Sequence, residues 1–170
     1  MSTAARINQS SNDEAEIRAL IASVGKAHHD KDAAAILAPH AQDSVVFNLA
    51  PPLAHRGTNL PEKQTWLDTW DGPIELESRD FRIAVSGDLA FAYGFYRMGG
   101  KNKYAPKPVE FWMRATLCLA RNNDAWQIVH EHTSVPFYMD GSLRPAFDLQ
   151  PQIYTLDMQG TNRSALRGDD

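Results

Sequence analysis

The chain has 170 residues, 43% of them hydrophobic and 22% charged, and its net charge at pH 7 is −4. This length and composition predict one domain with a single ordinary core. The acidic balance argues against a nucleic-acid partner, and no apolar run is long enough to span a bilayer. Residues 1–12 lack the apolar stretch of a secretory signal, and Cys118 is the only cysteine. We therefore expect a cytoplasmic protein with no membrane partner.

Patterns in the first part of the chain predict two helices. Ser11 and Glu14 have the spacing of a capping box, and the apolar residues after them recur at helical spacing. This pattern predicts a helix over residues 12–28. Asp32 is placed to cap a short second helix, Ala33–Ala38.

The rest of the chain predicts one helix among five strands. Either Thr58 or Asn59 caps the helix, which has Pro61 in its first turn. The alternation of apolar residues changes phase near Ser78–Asp80, which predicts a bulge in the second strand. Helices packed on one face of a curved antiparallel sheet form an α+β domain. The predicted strands are Ser44–Leu49, Ile74–Ser86, Leu89–Met98, Val109–Ala120 and Trp126–Val135.

Several groups of residues together resemble one known family. They are Lys31-Asp32, Val45-Val46-Phe47, Pro51-Pro52-Leu53, Arg56-Gly57, Arg114-x-Thr116 and the stretch W-Q-I-V-H-E-H-T-S-V-P, Trp126–Pro136. In order and spacing they resemble the SnoaL-like domains of the nuclear transport factor 2-like superfamily. The association domain of calcium/calmodulin-dependent kinases belongs to the same branch. The resemblance runs from about Glu14 to Pro151, and we expect one domain over residues 12–151. The segments 1–11 and 152–170 have the composition of flexible tails.

The resemblance implies a cone-shaped, cystatin-like fold in which a curved antiparallel sheet wraps around N-terminal helices and encloses a ligand pocket. It also implies a homodimer that packs sheet against sheet. In the steroid delta-isomerases of this superfamily, which are ketosteroid isomerase-like, the general-base Asp aligns with Asn48 and the oxyanion-binding Tyr with Val24. Because Asn48 cannot take up a proton near neutral pH and Val24 has no donor, we do not expect steroid isomerisation by that mechanism.

Glu131 is the predicted catalytic residue. If Leu117 pairs with Val129 in the final hairpin, Glu131 points towards the helices and into an apolar pocket. Burial raises the pKa of a carboxyl, so that Glu131 could act as an acid or a base near neutral pH. The other interpretation is a structural carboxyl paired with an Arg or a Tyr. The residues expected to bind the substrate are Phe47, Asn48, Trp66, Tyr93, Met113 and Thr133.

The opposite face of the last strand offers an alternative site. Strict alternation places Trp126, Ile128, His130 and His132 together on this face, with Arg114 on the neighbouring strand. The two histidines could form a catalytic pair, or could bind a metal if a third ligand were present. A sheet-to-sheet dimer interface is the third interpretation. A register slip of one residue would exchange the two faces.

Three other histidines and the cysteine carry no functional prediction. His28, His29 and His40 fall near predicted helix ends, where we expect them to be solvated or to cap the helices. Their spacing does not match a zinc motif such as His-Glu-x-x-His. Cys118 lies within an apolar strand pattern, which is typical of a packing residue.

The functional prediction is a small-molecule pocket protein of SnoaL-like type. It would act as a cofactor-free isomerase, dehydratase or cyclase by proton transfer on an apolar substrate, with Glu131 as the acid or base. No metal is expected. The alternative is a non-catalytic ligand-binding or association module that forms oligomers.

Overall fold

The computed structural model describes the backbone of residues 3–152, 154–156 and 162–164, and the side chains of residues 11–152. The helices are α1 (Thr3–His29), α2 (Ala33–Leu37) and α3 (Leu60–Leu67). None of them is both long and apolar enough to cross a membrane. Most of the predicted C-terminal tail lies outside the described residues. The strands are β1 (His40–Phe47), β2 (His55–Arg56), β3 (Trp70–Ser86), β4 (Leu89–Asn102), β5 (Val109–Asn122), β6 (Ala125–Ser134), β7 (Tyr154–Leu156) and β8 (Asn162–Ser164).

The first helix begins at Thr3 rather than at residue 12. Ser11 and Glu14 therefore lie inside α1, and the predicted capping box is wrong. The polar segment before Ser11, which was expected to be a tail, contains no glycine or proline that would interrupt the helix. The caps of the other two helices are confirmed. Asp32 and Asn59 each accept a hydrogen bond from a backbone N–H three residues further on, at 2.9 and 3.1 Å.

Six strands form one curved sheet in the order β2-β1-β6-β5-β4-β3. The four long strands from β3 to β6 pair antiparallel, as predicted. The expectation of an antiparallel sheet throughout is wrong for β1, which pairs parallel with β6. The chain enters β1 from the helical layer, so no hairpin constrains the direction of this strand. The sheet is therefore mixed, within the predicted α+β architecture.

The core lies between the helices and the inner face of the sheet. α1 packs along β3, and its buried residues Ile17 and Ile21 belong to the same apolar cluster as the inner rows of β4 and β5. An apolar row on β5 faces the helices. Its buried members are Met113, Ala115, Leu117 and Leu119.

A bulge in β3 explains the change of phase in its sequence. The pairing of β3 with β4 shifts between Arg79 and Arg82, and Asp80 has a positive φ of 56°. Both Ile74 and Phe81 are buried although they have opposite parity, which confirms the predicted bulge. A Cβ atom at Gly94 of β4 would lie 2.8 Å from the Phe81 Cα atom. The bent strand thus requires glycine at this position.

Candidate functional site

A second bulge, in β6, decides which of its side chains face the helices. Successive residues of β5 pair with His130 and Ile128, which leaves Val129 as an extra residue. Leu117 consequently pairs with Glu131, and not with Val129 as predicted. Ile128 is buried on the inner face, so its predicted position beside His130 is wrong. Glu131 lies beyond the bulge and shares the inner face with its partner Leu117.

The Glu131 side chain meets a histidine from the first strand. Nε2 of His40 lies 3.0 Å from Oε2 of Glu131, and the two side chains are only 7% and 21% exposed. The Ile128 N–H donates to the Pro39 carbonyl at 2.8 Å, which holds the start of β1 against β6. Nδ1 of His40 is buried and has no hydrogen-bond partner within the described residues. The pair therefore leaves one imidazole nitrogen available to a ligand.

Glu131 does not have the raised pKa that its burial led us to expect. Burial does raise the pKa of this carboxyl, but the hydrogen bond from His40 and the charges of His40 and Lys63 act in the opposite direction. Together they outweigh burial and hold the pKa below its ordinary value. The prediction of a raised pKa is therefore wrong. Glu131 is therefore a carboxylate at neutral pH and can orient His40.

A second histidine, from the C-terminal end of α1, lies within range of this pair. Nδ1 of His28 is 2.8 Å from the Val24 carbonyl oxygen, and this distance assigns the proton of the neutral ring to Nδ1. Burial lowers the pKa of His28 to about 4. Its ring meets the Trp66 ring edge-on, with the centroids 5.9 Å apart. His28 is therefore a neutral polar group at physiological pH.

The charge of Glu131 also reaches Lys63 of α3 and Tyr96 of β4. Burial lowers the pKa of Lys63, and Glu131 opposes this shift. Burial and the charge of Glu131 both raise the pKa of Tyr96, which therefore remains a neutral phenol. The site thus combines one carboxylate, two histidines, a lysine and a tyrosine, contributed by α1, α3, β1, β4 and β6.

Three of the predicted substrate-binding residues lie on the side of the sheet that carries Glu131. Met113 and Thr133 are buried on the inner face of β5 and β6. Trp66 is partly buried on α3, and its ring lies 5.9 Å from that of Trp70. These residues are placed to form an apolar wall around the polar cluster.

The other three predicted binding residues are exposed to solvent. Phe47 is on the outer face of β1, where its ring contacts those of His130 and His132 at 4.8 and 5.7 Å. Tyr93 is on the outer face of β4 and is 47% exposed, and Asn48 is exposed just after β1. Strand parity places the side chains of Phe47 and Tyr93 away from the helices, whereas Asn48 lies beyond the end of β1.

The alternative site on the outer face is an exposed, partly aromatic surface. Nδ1 of His130 lies 2.8 Å from the Val45 carbonyl oxygen, and Arg114 is exposed nearby on β5. Among the described side chains, no group of three or more His, Cys, Asp or Glu residues could hold a metal ion.

The sequence analysis missed four members of the inner cluster: His28, His40, Lys63 and Tyr96. Tyr96 had a usable signal, because it alternates with Met98, which the structure also buries. No local pattern marks the histidines and the lysine, since they reach Glu131 only through packing.

Two open depressions on the surface lie outside this cluster. One is between α1 and the strands β3 and β4, and the other is between α2 and α3. Neither contains Glu131 or a residue in contact with it. They are not part of the candidate site.

Comparison with known proteins supports the family resemblance. The sequence model of the SnoaL-like domain matches residues 17–138, more than half of the chain. The chain belongs to the SnoaL-like family. The matched range includes both His40 and Glu131. None of the curated proteins compared with this SnoaL-like chain matches it.

Solved structures show the same fold for this SnoaL-like protein. An NTF2-like protein of unknown function from Pseudomonas putida KT2440 is 33% identical, with 84% of this chain and 99% of that chain covered and a TM-score of 0.73. A candidate dehydratase of the NTF2-like family from Streptomyces avermitilis is 15% identical (75% and 99% covered, TM-score 0.64). A candidate calcium/calmodulin-dependent protein kinase II association domain from Xanthomonas campestris is 16% identical (70% and 84% covered, TM-score 0.60). The predicted cone-shaped, cystatin-like fold is confirmed.

Proposed function

We propose that this SnoaL-like protein binds an apolar small molecule and moves a proton within it, with His40 and Glu131 as the acid–base pair. The observation that carries the proposal is the 3.0 Å contact between the two side chains, which leaves His40 Nδ1 buried without a partner in the described part of the chain. A carboxylate that holds one imidazole nitrogen fixes the tautomer and makes the other nitrogen a base. No cofactor is needed for this chemistry.

The proposed reaction starts at His40 Nδ1. This nitrogen removes a proton from a carbon beside a carbonyl group of the ligand, and the electron pair of the broken C–H bond forms an enolate. The Glu131 carboxylate stabilises the imidazolium that results. Return of the proton to another carbon completes an isomerisation, whereas its transfer to a hydroxyl group that leaves as water completes a dehydration. A cyclisation would use the enolate carbon as the nucleophile.

The wall of the site supports an apolar ligand. Trp66 contacts the ring of His28, and Met113 and Thr133 lie on the inner face of the sheet, which also carries Glu131. The hydroxyl group of Thr133 could orient a ligand oxygen. The neighbouring Tyr96 is a neutral phenol and can donate a hydrogen bond. The candidate dehydratase among the solved structures has the same fold, in agreement with a proton-transfer reaction.

Replacement of Glu131 by Gln tests the proposal. The purified protein is incubated in D2O with a panel of cyclic ketones and hydroxyketones, and deuterium incorporation beside the carbonyl is followed by NMR. We expect the wild type to exchange at least one compound, and Glu131→Gln to slow this exchange by about 10²–10⁴-fold. The amide has no charge to stabilise the imidazolium of His40.

Glu110→Gln is the matched control, because Glu110 is an exposed carboxyl group on β5 with 62% of its side chain accessible. Its exchange rate should equal that of the wild type. Equal rates in wild type and Glu131→Gln would contradict the proposal. Absence of exchange with the whole panel, together with a lower melting temperature for Glu131→Gln, would favour a structural carboxyl in a non-catalytic binding or association module.

We also propose that the protein forms a homodimer through the outer face of its sheet. This face exposes large apolar side chains that a monomer would leave in water: Phe47, Phe91 and Tyr93 are 38%, 49% and 47% exposed. The rings of Phe91 and Tyr93 stack with their centroids 6.2 Å apart, which makes a continuous aromatic surface. An association module would use the same surface.

Sedimentation velocity at micromolar concentration tests the dimer. We expect a species of twice the 19.0 kDa chain mass, and we expect Phe91→Lys to convert it to a monomer because the charge would be buried in the interface. Leu53→Lys is the control, since Leu53 is a fully exposed loop residue away from this face. A wild-type monomer at this concentration would contradict the proposal.

A further inference from the structure

Lys63 differs from the other lysines of the chain in having a partly buried amine without an oxygen partner. Its Nζ lies over the Trp66 ring, 4.9 Å from the centroid, and forms no hydrogen bond or ion pair within the described residues. Lys107 is exposed to water. Each of the remaining lysines donates to a carboxylate or a carbonyl oxygen, namely Lys26, Lys31, Lys101 and Lys103.

The carboxylates that could neutralise Lys63 are already engaged. Glu131 accepts its hydrogen bond from His40, and Glu62 lies 3.5 Å from Nδ1 of His55. A charge that is withdrawn from water without a counter-charge is unfavourable. Burial is the main cause of the lowered pKa of Lys63. The amine thus lacks an anionic oxygen partner among the described residues, and a ligand could supply one.

The surroundings of Lys63 define what else such a ligand would contact. The ring of His28 meets Trp66 edge-on, and Trp66 meets Trp70 in the same way. Lys63 and His28 both contact the Trp66 ring, and the charges of Glu131 and His40 also act on His28, so that His28 links the lysine to the acid–base pair. An apolar ring placed against this indole wall would bring its polar substituent to Lys63.

We infer that Lys63 anchors a carboxylate group of the ligand, and that the ligand is an apolar, ring-bearing carboxylic acid. This inference rests on the proposed function for the location of the pocket. The carboxylate binds Nζ of Lys63, the ring packs beside Trp66, and the reacting carbon faces His40. Lys63 sets the specificity for an anionic ligand and does not take part in proton transfer.

Two near-isosteric probes test the inference by isothermal titration calorimetry at pH 7: 2-naphthoate, which is ionised, and 2-naphthamide, which is neutral. We expect the wild type to bind the naphthoate at least about tenfold more tightly, as a hydrogen bond between two charged groups predicts. Lys63→Met should lose this preference, and Lys63→Arg should keep it. Lys107→Met, the same change at an exposed loop position, should behave like the wild type.

Every outcome supports or overturns the inference. The inference is wrong if the wild type binds the two probes equally, or if Lys63→Met keeps the preference for the naphthoate. In either case, binding of the naphthamide would still support the apolar pocket of the proposed function. Failure of both probes to bind the wild type would overturn the inference and also remove that pocket. If Lys63→Met fails to fold, Lys63→Arg together with the wild-type preference decides the role of the charge.

Discussion

As the pH falls from 6.5 to 4, the free energy of unfolding should decrease by about 3 kcal/mol because His28 is buried. An unfolded chain protonates this histidine near pH 6.5, whereas the folded protein protonates it only near pH 4. Over this interval the unfolded state therefore binds more protons, and the stability of the folded state falls as the pH falls. Below pH 4 both states carry the proton, and the loss becomes constant.

Urea unfolding of wild type and His28→Asn at pH 7, 6, 5 and 4 measures this effect. Asn can keep a donor for the Val24 carbonyl but cannot be protonated. The variant loses the ring contact with Trp66, so we expect it to be less stable at pH 7. The decisive quantity is the difference in the free energy of unfolding between the two proteins. As the pH is lowered to 4, this difference should shift by about 3 kcal/mol in favour of the variant.

The adjacent His29 provides a matched control. Its side chain is 52% exposed and its Nδ1 lies 3.0 Å from Glu75, so His29→Asn removes a histidine that water still reaches. We expect this variant to follow the wild type over the whole pH range, within about 0.5 kcal/mol. If the free energy of unfolding of His28→Asn changed with pH in parallel with that of the wild type, burial would not lower the pKa of His28.

The sequence predicts most of the fold because the long strands alternate between their bulges and their turns are strongly marked. In the β5–β6 hairpin, Asn123 and Asp124 both have positive φ, as the tightest hairpin turns require. The bulge at Val129 was missed because strict alternation was assumed along β6. A signal was present: Trp126 and Ile128, which the structure buries, had been assigned to a partly polar face. A bulge is the local change that returns both to the core.

The candidate site was only partly predictable, for a different reason. Glu131 was identified because its own strand alternates. Its partner His40 precedes it by 91 residues, and β1 reaches β6 by a parallel pairing that no local pattern specifies. The direction of the pKa shift of Glu131 was predicted wrongly for the same reason. Burial of Glu131 can be inferred from β6 alone, whereas the hydrogen bond that lowers its pKa also requires the position of His40 in β1.

Removal of the Arg121 guanidinium should destabilise the fold by about 3 kcal/mol or more. Arg121 is only 17% exposed and forms an ion pair with Asp13 of α1, whose side chain is 5% exposed. Its side chain also lies over the Trp126 ring, 4.4 Å from the centroid, and within 4 Å of the carboxylates of Glu16 and Asp88. Arg121→Met would leave three acidic groups close together around an apolar side chain. Thermal or urea unfolding at pH 7 measures the loss.

A double variant separates two contributions to the free energy of unfolding: the cost of leaving these acidic groups without the guanidinium, and the net contribution of the ion pair. Replacing a buried ion pair by apolar residues is often close to neutral, whereas removing one partner is not. We therefore expect Arg121→Met combined with Asp13→Leu to recover most of the stability lost in Arg121→Met. Arg97→Met is the matched control, because Arg97 also bridges two carboxylates but is 38% exposed, and should cost no more than about 1 kcal/mol. If both variants lost the same free energy of unfolding, the prediction would be wrong. Burial would then add nothing to the stabilisation by the Arg121–Asp13 ion pair, which joins the β5–β6 hairpin to α1.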